Sequence, residues 1–292
     1  MPLPCGRRRP PPVREAHVIT SMPPSWAAAR LDYALATSRV EQRAALGLYL
    51  PVGYPTRRAS VKALRQMAQH ADVLELGIPH HHPHMDGPVI RQASAQAVTE
   101  GFQMVDLFEV ATELTASTTA GLVVMSYWSP IENYGPEAFA ERLCVAGVGG
   151  VLIPDLPEHA AATWHWAARE AGLYMIPLIP PHVSNARLAA IGAESSGMVY
   201  APATPGRTGA QRPLTRYLPR VVRRVRDETG MPVAVGIGIS TPTQAAEAAA
   251  YADAVVVGSA VIRHMQTQPE APDVAAAEVA QAFAEGVRRP VR

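Results

Sequence analysis

Eight short apolar runs, separated by stretches with helical spacing, constrain this sequence more than any other feature. They are LGLYLPVG (46–53), DVLELGI (72–78), GLVVMSYW (121–128), GVLIPD (150–155), YMIPLI (174–179), GMVYAP (197–202), PVAVGIG (232–238) and DAVVVG (253–258). Each is too short for a buried helix and rich in Val, Ile and Tyr, the pattern of a strand buried on both faces in a parallel sheet. The segments between them, such as TRRASVKALRQMAQHA and PEHAAATWHWAAREAG, carry helical spacing, and many stop at Gly. The gap 88–120 has room for two helices, and an amphipathic stretch, WAAARLDYALATSRVEQRA, precedes the first run. This alternation predicts an α/β protein, a (β/α)8 TIM barrel with an extra N-terminal helix; an open doubly wound sheet is the lesser alternative.

The 292 residues suit one barrel plus tails, and 48% apolar content supplies a large core. We divide the chain into a disordered N-terminal extension (1–24), a barrel catalytic domain (25–270) and a C-terminal helix or tail (271–292). The extension is rich in Arg and Pro, lacks the apolar region of a secretory signal, and offers Met22 as an alternative start. A net charge of +1 gives no footprint for nucleic acid, and no 18-residue apolar run exists to span a membrane. Cys5 and Cys144 match no disulfide or metal spacing, a usage that fits a reducing cytoplasm.

In a barrel of this type, functional residues sit at the C-terminal ends of the strands and in the loops beyond. The second run places Glu75 inside an otherwise apolar Leu-Glu-Leu triplet. A buried carboxylate must pair or take up a proton, so Glu75 is either a structural partner or a proton shuttle. Asp86, in the Asp-Gly-Pro turn after that strand, is either a helix cap or a second carboxylate dividing acid and base roles with Glu75. Runs seven and eight end in glycine-rich turns that open helices, with Gly236, Gly238 and Ser240 in one and Gly258 and Ser259 in the other. Such turns let a phosphate approach backbone N–H groups, and strands seven and eight are where this fold holds phosphate. After strand six, Gly206-Arg207-Thr208-Gly209 reads as a loop able to close over substrate, with Thr208 and Gly209 as further phosphate contacts. Tyr127 and Trp128 line a pocket or pack the core, and Asp155 contacts a catalytic group or caps the next helix.

The motifs LELGIP…DGPVIRQAS, MSYWSPIENYG, VGGVLIPDLP, VYAPATPGRTGA, VGIGIST and VVVGSAVIR occur in this order. Together they resemble the tryptophan synthase alpha chain family, especially its actinobacterial branch, over about residues 28–268. The resemblance implies a lyase that cleaves indole-3-glycerol phosphate to indole and glyceraldehyde 3-phosphate by a retro-aldol reaction, in tryptophan biosynthesis. It implies catalytic roles for Glu75 and Asp86, substrate-pocket positions at Tyr127 and Tyr200, and phosphate binding at Gly209, Gly238, Gly258 and Ser259. It further implies a PLP-dependent beta chain as partner, with no cofactor or metal on this chain. Lys62 is the only lysine and belongs to the helix after strand one, away from the strand ends, which argues against a Schiff-base aldolase.

The sequence departs from the family at the loop after strand two. The family's Phe/Tyr-Ser-Asp-Pro-Leu-x-Asp-Gly-Pro is here His80-His81-His82-Pro83-His84-Met85-Asp86-Gly87-Pro88, with His82 in place of the first Asp. Ser129 stands where the family has Asn. The loop position bears on partner binding, and four histidines in five positions raise the alternative of a metal-dependent barrel aldolase using His80–His84; a non-catalytic subunit activating a beta-like partner is a separate, non-enzymatic alternative.

Overall fold

The computed structural model describes residues 25–180, 182–203, 208–209 and 213–288. All eight apolar runs form strands: β1 (Ala45–Pro51), β2 (Val73–Gly77), β3 (Gly121–Met125), β4 (Gly150–Leu152), β5 (Tyr174–Ile176), β6 (Val199–Pro202), β7 (Val233–Gly236) and β8 (Ala254–Val257). Helix α1 (Trp26–Val40) precedes β1 and α2 (Arg57–Met67) follows it. The long gap after β2 holds two helices, α3 (Pro88–Thr99) and α4 (Met104–Ser117). The remaining connections carry α5 (Trp128–Tyr134), α6 (Pro136–Val145), α7 (Glu158–Glu170), α8 (Asn185–Glu194), α9 (Leu218–Thr229), α10 (Pro242–Ala249) and α11 (Ser259–Thr267), and α12 (Pro272–Arg288) ends the described chain. The proposed extension 1–24 and the last residues, 289–292, lie outside the described residues.

The strands pair in parallel in the order β5-β4-β3-β2-β1-β8-β7-β6. The outer two meet: Leu178 bridges Tyr200, the Ile179 N–H donates to the Tyr200 carbonyl at 2.8 Å, and the Tyr200 N–H donates to the Pro177 carbonyl at 2.9 Å. This pairing closes the barrel and excludes the open sheet. It is short because Pro177 and Pro180 have no N–H to give a longer ladder. The strand residues of β1 to β4, β7 and β8 are buried throughout, on the barrel interior and against the helices alike. Residues 272–288 pack a stripe of Ala275, Ala276, Ala280, Phe283, Ala284 and Val287 inward, and α12 lies against α2, α10 and α11. No described helix is long and apolar enough to cross a membrane.

The N-terminal ends of the strands are stitched by two aspartates. Asp72, just before β2, accepts the Leu46 N–H at 2.7 Å and a bidentate pair from Arg43 at 2.6 and 2.8 Å. Asp253, just before β8, accepts the Val233 N–H at 2.9 Å and Arg226 at 2.8 and 3.2 Å. Each carboxylate therefore ties a strand start to its neighbour while its charge is met by a guanidinium. Asp72→Ala strands the largely buried Arg43 and a strand N–H, and is expected to cost roughly 2–4 kcal/mol. Equilibrium urea unfolding measures this, and a loss under 0.5 kcal/mol would remove Asp72 from the frame of the barrel.

Candidate active site

At the opposite end of the strands lies a cavity of about 330 Å³. Strand alternation turns Glu75 of β2 inward, where it lines this cavity with Tyr49 of β1, Met125 of β3, Leu152 of β4, Tyr200 of β6 and Val256 of β8. Glu75 is 7% exposed, and among the described residues its carboxyl has no hydrogen-bond partner. Burial and the nearby Asp86 charge push it up to about 8.

Asp86 lines the same cavity but is held differently. The Tyr127 hydroxyl donates to its Oδ2 at 3.0 Å and the Thr208 hydroxyl to its Oδ1 at 3.4 Å. Burial raises Asp86 to about 6, with those two hydrogen bonds and the His84 and Arg91 charges pulling the other way. The capping alternative fails: Gly87 is the N-cap of α3, with Pro88 at its first position. The Gly87 N–H donates instead to Thr208 Oγ1 at 2.7 Å. Only glycine fits at 87, because an added Cβ would overlap the Thr208 carbonyl. The loop after β6 is thus seated on the loop after β2. Residues 204–207 of that loop, Arg207 included, lie outside the described residues.

The cavity is also lined by Thr208, Gly209, Gly238, Gly258 and Ser259. Gly258 is the N-cap of α11 and Ser259 its first residue, so a helix N-terminus opens onto the cavity. The turn after β7 needs left-handed backbone at Ile237 (φ 46°) and Gly238 (φ 109°), an uncommon conformation for a β-branched residue. The cavity lining therefore combines glycine-rich loop backbone and a helix N-terminus with apolar side chains and two carboxylates.

Some expected residues fall elsewhere. Tyr127 and Asp155 are not among the residues lining the cavity. Tyr127 is the N-cap of α5, and its side chain lies behind Asp86, which it holds. The Asp155 carboxylate accepts the Trp128 N–H at 2.8 Å, so it caps α5 rather than the helix that follows it. Trp128 packs in the core against Trp164. Thr241, not Ser240, caps α10, and Gly236 lies outside the lining set. Tyr49 was missed; it faces Glu75 across the β1–β2 register, and burial and both carboxylates push its phenol well above the ordinary range. An aromatic residue in register with a candidate carboxylate on a neighbouring strand is the signal that could have found it.

The histidine loop does not gather ligands. Among the described residues no group of three or more His, Cys, Asp or Glu side chains could hold a metal ion. Both ring nitrogens of His80 are engaged, Nδ1 with the His82 N–H at 3.1 Å and Nε2 with Ser129 Oγ at 3.0 Å. The metal-dependent alternative thus lacks a geometry.

A family profile described as tryptophan synthase alpha chain matches residues 35–289. A tryptophan synthase alpha chain from Streptomyces coelicolor is 40% identical over 263 residues, covering 90% of this chain and 96% of the relative. One from Mycobacterium marinum is 41% identical over 236 residues, covering 80% and 87%. Among solved structures, a tryptophan synthase from Mycobacterium tuberculosis matches with a TM-score of 0.81 at 37% identity, over 89% of this chain and 98% of that one. The alpha subunit from Legionella pneumophila matches with a TM-score of 0.78 at 29% identity, over 88% and 98%.

The Glu75 environment has a consequence for stability. Between about pH 4.5 and about 8 the folded chain keeps a proton that the unfolded chain releases, so Glu75 makes wild-type stability fall as pH rises through that window. Glu75→Gln removes the titration. Its stability relative to wild type is expected to rise by on the order of 3–5 kcal/mol from pH 4.5 to 8 and then level off. Denaturation at a series of pH values tests this; a difference that does not change with pH would mean that Glu75 is ionised in the native state.

Proposed function

Because the chain belongs to the tryptophan synthase alpha chain family, we propose that it cleaves indole-3-glycerol phosphate to indole and glyceraldehyde 3-phosphate with Glu75 and Asp86 as its catalytic pair. One observation carries the assignment of the pair: two buried carboxylates with different surroundings line one cavity that Gly209, Gly238, Gly258 and Ser259 also line.

Near pH 7 the two groups divide the work. Glu75, raised to about 8, holds a proton, and Asp86, at about 6, is ionised. The substrate phosphate sits against Gly209, Gly238, Gly258 and Ser259, and the indole lies in the apolar body beside Leu152, Ile179 and Tyr200. Glu75 gives its proton to indole C3, which makes a cationic indolenine. Asp86 accepts a hydrogen bond from the ring N–H and stabilises that cation. The Glu75 carboxylate then takes the proton from the hydroxyl on the carbon bonded to C3. That carbon becomes the aldehyde, the C–C bond pair becomes the ring C2=C3 double bond while the C=N π pair returns to the ring nitrogen to restore indole, and Glu75 recovers its proton. The ring supplies the electron sink, so no lysine imine is needed; Lys62 on α2 does not line the cavity.

The chain works in the cytoplasm as one half of a tryptophan synthase, passing indole to a PLP-dependent beta chain. The activating-subunit alternative gives no reason to keep an unpaired buried Glu75.

Incubating the purified chain with indole-3-glycerol phosphate should release indole with or without EDTA. Glu75→Gln should lower the rate by roughly 10²- to 10⁴-fold, the usual contribution of a general acid–base group. Wild-type turnover in that variant would remove Glu75 from the mechanism. The profile of kcat/KM should be bell-shaped. It should fall below about pH 6, where Asp86 loses its charge, and above about pH 8, where Glu75 loses its proton. A profile flat from pH 5 to 9 would contradict the division of roles.

A further inference from the structure

We infer that the His80–His84 loop is a positioning device: the rings of His80 and His84 lie against Tyr127 and hold the phenol that fixes Asp86. Its catalytic consequence rests on the lyase reading above; the clamp itself rests on geometry.

The Tyr127 and His80 rings are stacked, with centroids 5.3 Å apart and planes 26° apart. His84 meets the same phenol at 5.0 Å and 50°. Between these contacts the Tyr127 hydroxyl donates to Asp86 Oδ2 and accepts the Met85 N–H, each at 3.0 Å. Tyr127 therefore bonds to the loop that clamps it, and Asp86 sits at the end of that loop.

His80 is itself fixed from three sides. Its N–H donates to Ser94 Oγ of α3 at 2.8 Å, and that hydroxyl donates back to the His80 carbonyl at 3.2 Å. Its Nδ1 accepts the His82 N–H, so the neutral ring carries its proton on Nε2 and donates to Ser129 Oγ of α5. Burial lowers the His80 pKa, which favours the neutral ring. The exposed His84 is tied at its backbone, where its N–H donates to the His82 carbonyl at 2.8 Å. The charged and titratable groups acting on Asp86 are Glu75, Tyr49, Tyr127, Tyr200, His84 and Arg91, with Thr208 donating from the β6 loop. His80 and His84 thus act on Asp86 through Tyr127, as positioning residues.

The test uses the full chain with His80→Ala, His84→Ala and His84→Phe, the last keeping a ring but no imidazole nitrogen. Amide hydrogen exchange at Met85 reads the clamp directly, with the buried Leu48 amide of β1 as the reference for global stability. Both alanine variants should exchange at Met85 at least tenfold faster with Leu48 unchanged, and His84→Phe should match wild type. In the lyase assay the alanine variants should lose about tenfold in kcat with KM within twofold, and His84→Phe should recover kcat. Wild-type exchange at Met85 in both alanine variants would overturn the inference. Failure of His84→Phe to restore it would do the same, because the contact would not then act through the ring. If exchange behaves as expected but the wild-type chain releases no indole, the clamp stands and the lyase reading falls.

Discussion

A carboxylate removed from water has to be paired, hydrogen-bonded or neutralised, and this barrel buries two of them in one cavity. The structure resolves the conflict by giving them unequal surroundings. Asp86 receives two hydroxyl donors and so keeps its charge to lower pH. Glu75 receives none from the described residues and feels the Asp86 charge, so it holds a proton past neutrality. That asymmetry sets the protonation of two chemically similar side chains apart, the condition that the proposed division of acid and base roles uses.

The two ends of the barrel treat acidic residues in opposite ways. At the strand starts, Asp72 and Asp253 are matched by Arg43 and Arg226 and by strand N–H groups, so their charges are satisfied and serve the frame. At the strand ends, Glu75 has no such partner among the described residues. The same residue chemistry serves the frame at one end and, in the function proposed, reactivity at the other, as expected of a fold whose loops carry function over a fixed core.

Contacts between loops finish the site. Thr208 from the β6 loop accepts from Gly87 and donates to Asp86, and Tyr127 behind β3 does the same for Met85 and Asp86. His80 and Ser129 look like two unrelated departures from the family pattern when read along the chain. They are hydrogen-bonded to each other at 3.0 Å, across 49 residues of sequence. The histidine loop is therefore a substitute arrangement around a retained carboxylate.

The sequence by itself determined the eight strands and the two helices between β2 and β3. It also marked Glu75 as a carboxylate out of place, and the glycine turns after β7 and β8. These are local properties, written in hydrophobic period and in residue types that a strand or a tight turn requires. Only the tertiary structure decided that Tyr127 supports Asp86 instead of lining the pocket, that Asp155 caps α5, that Tyr49 faces Glu75, and that His80 and His84 meet Tyr127. The physical reason is that a side chain's partner across a barrel is set by register, closure and loop packing, which join residues tens of positions apart and leave no trace in local pattern.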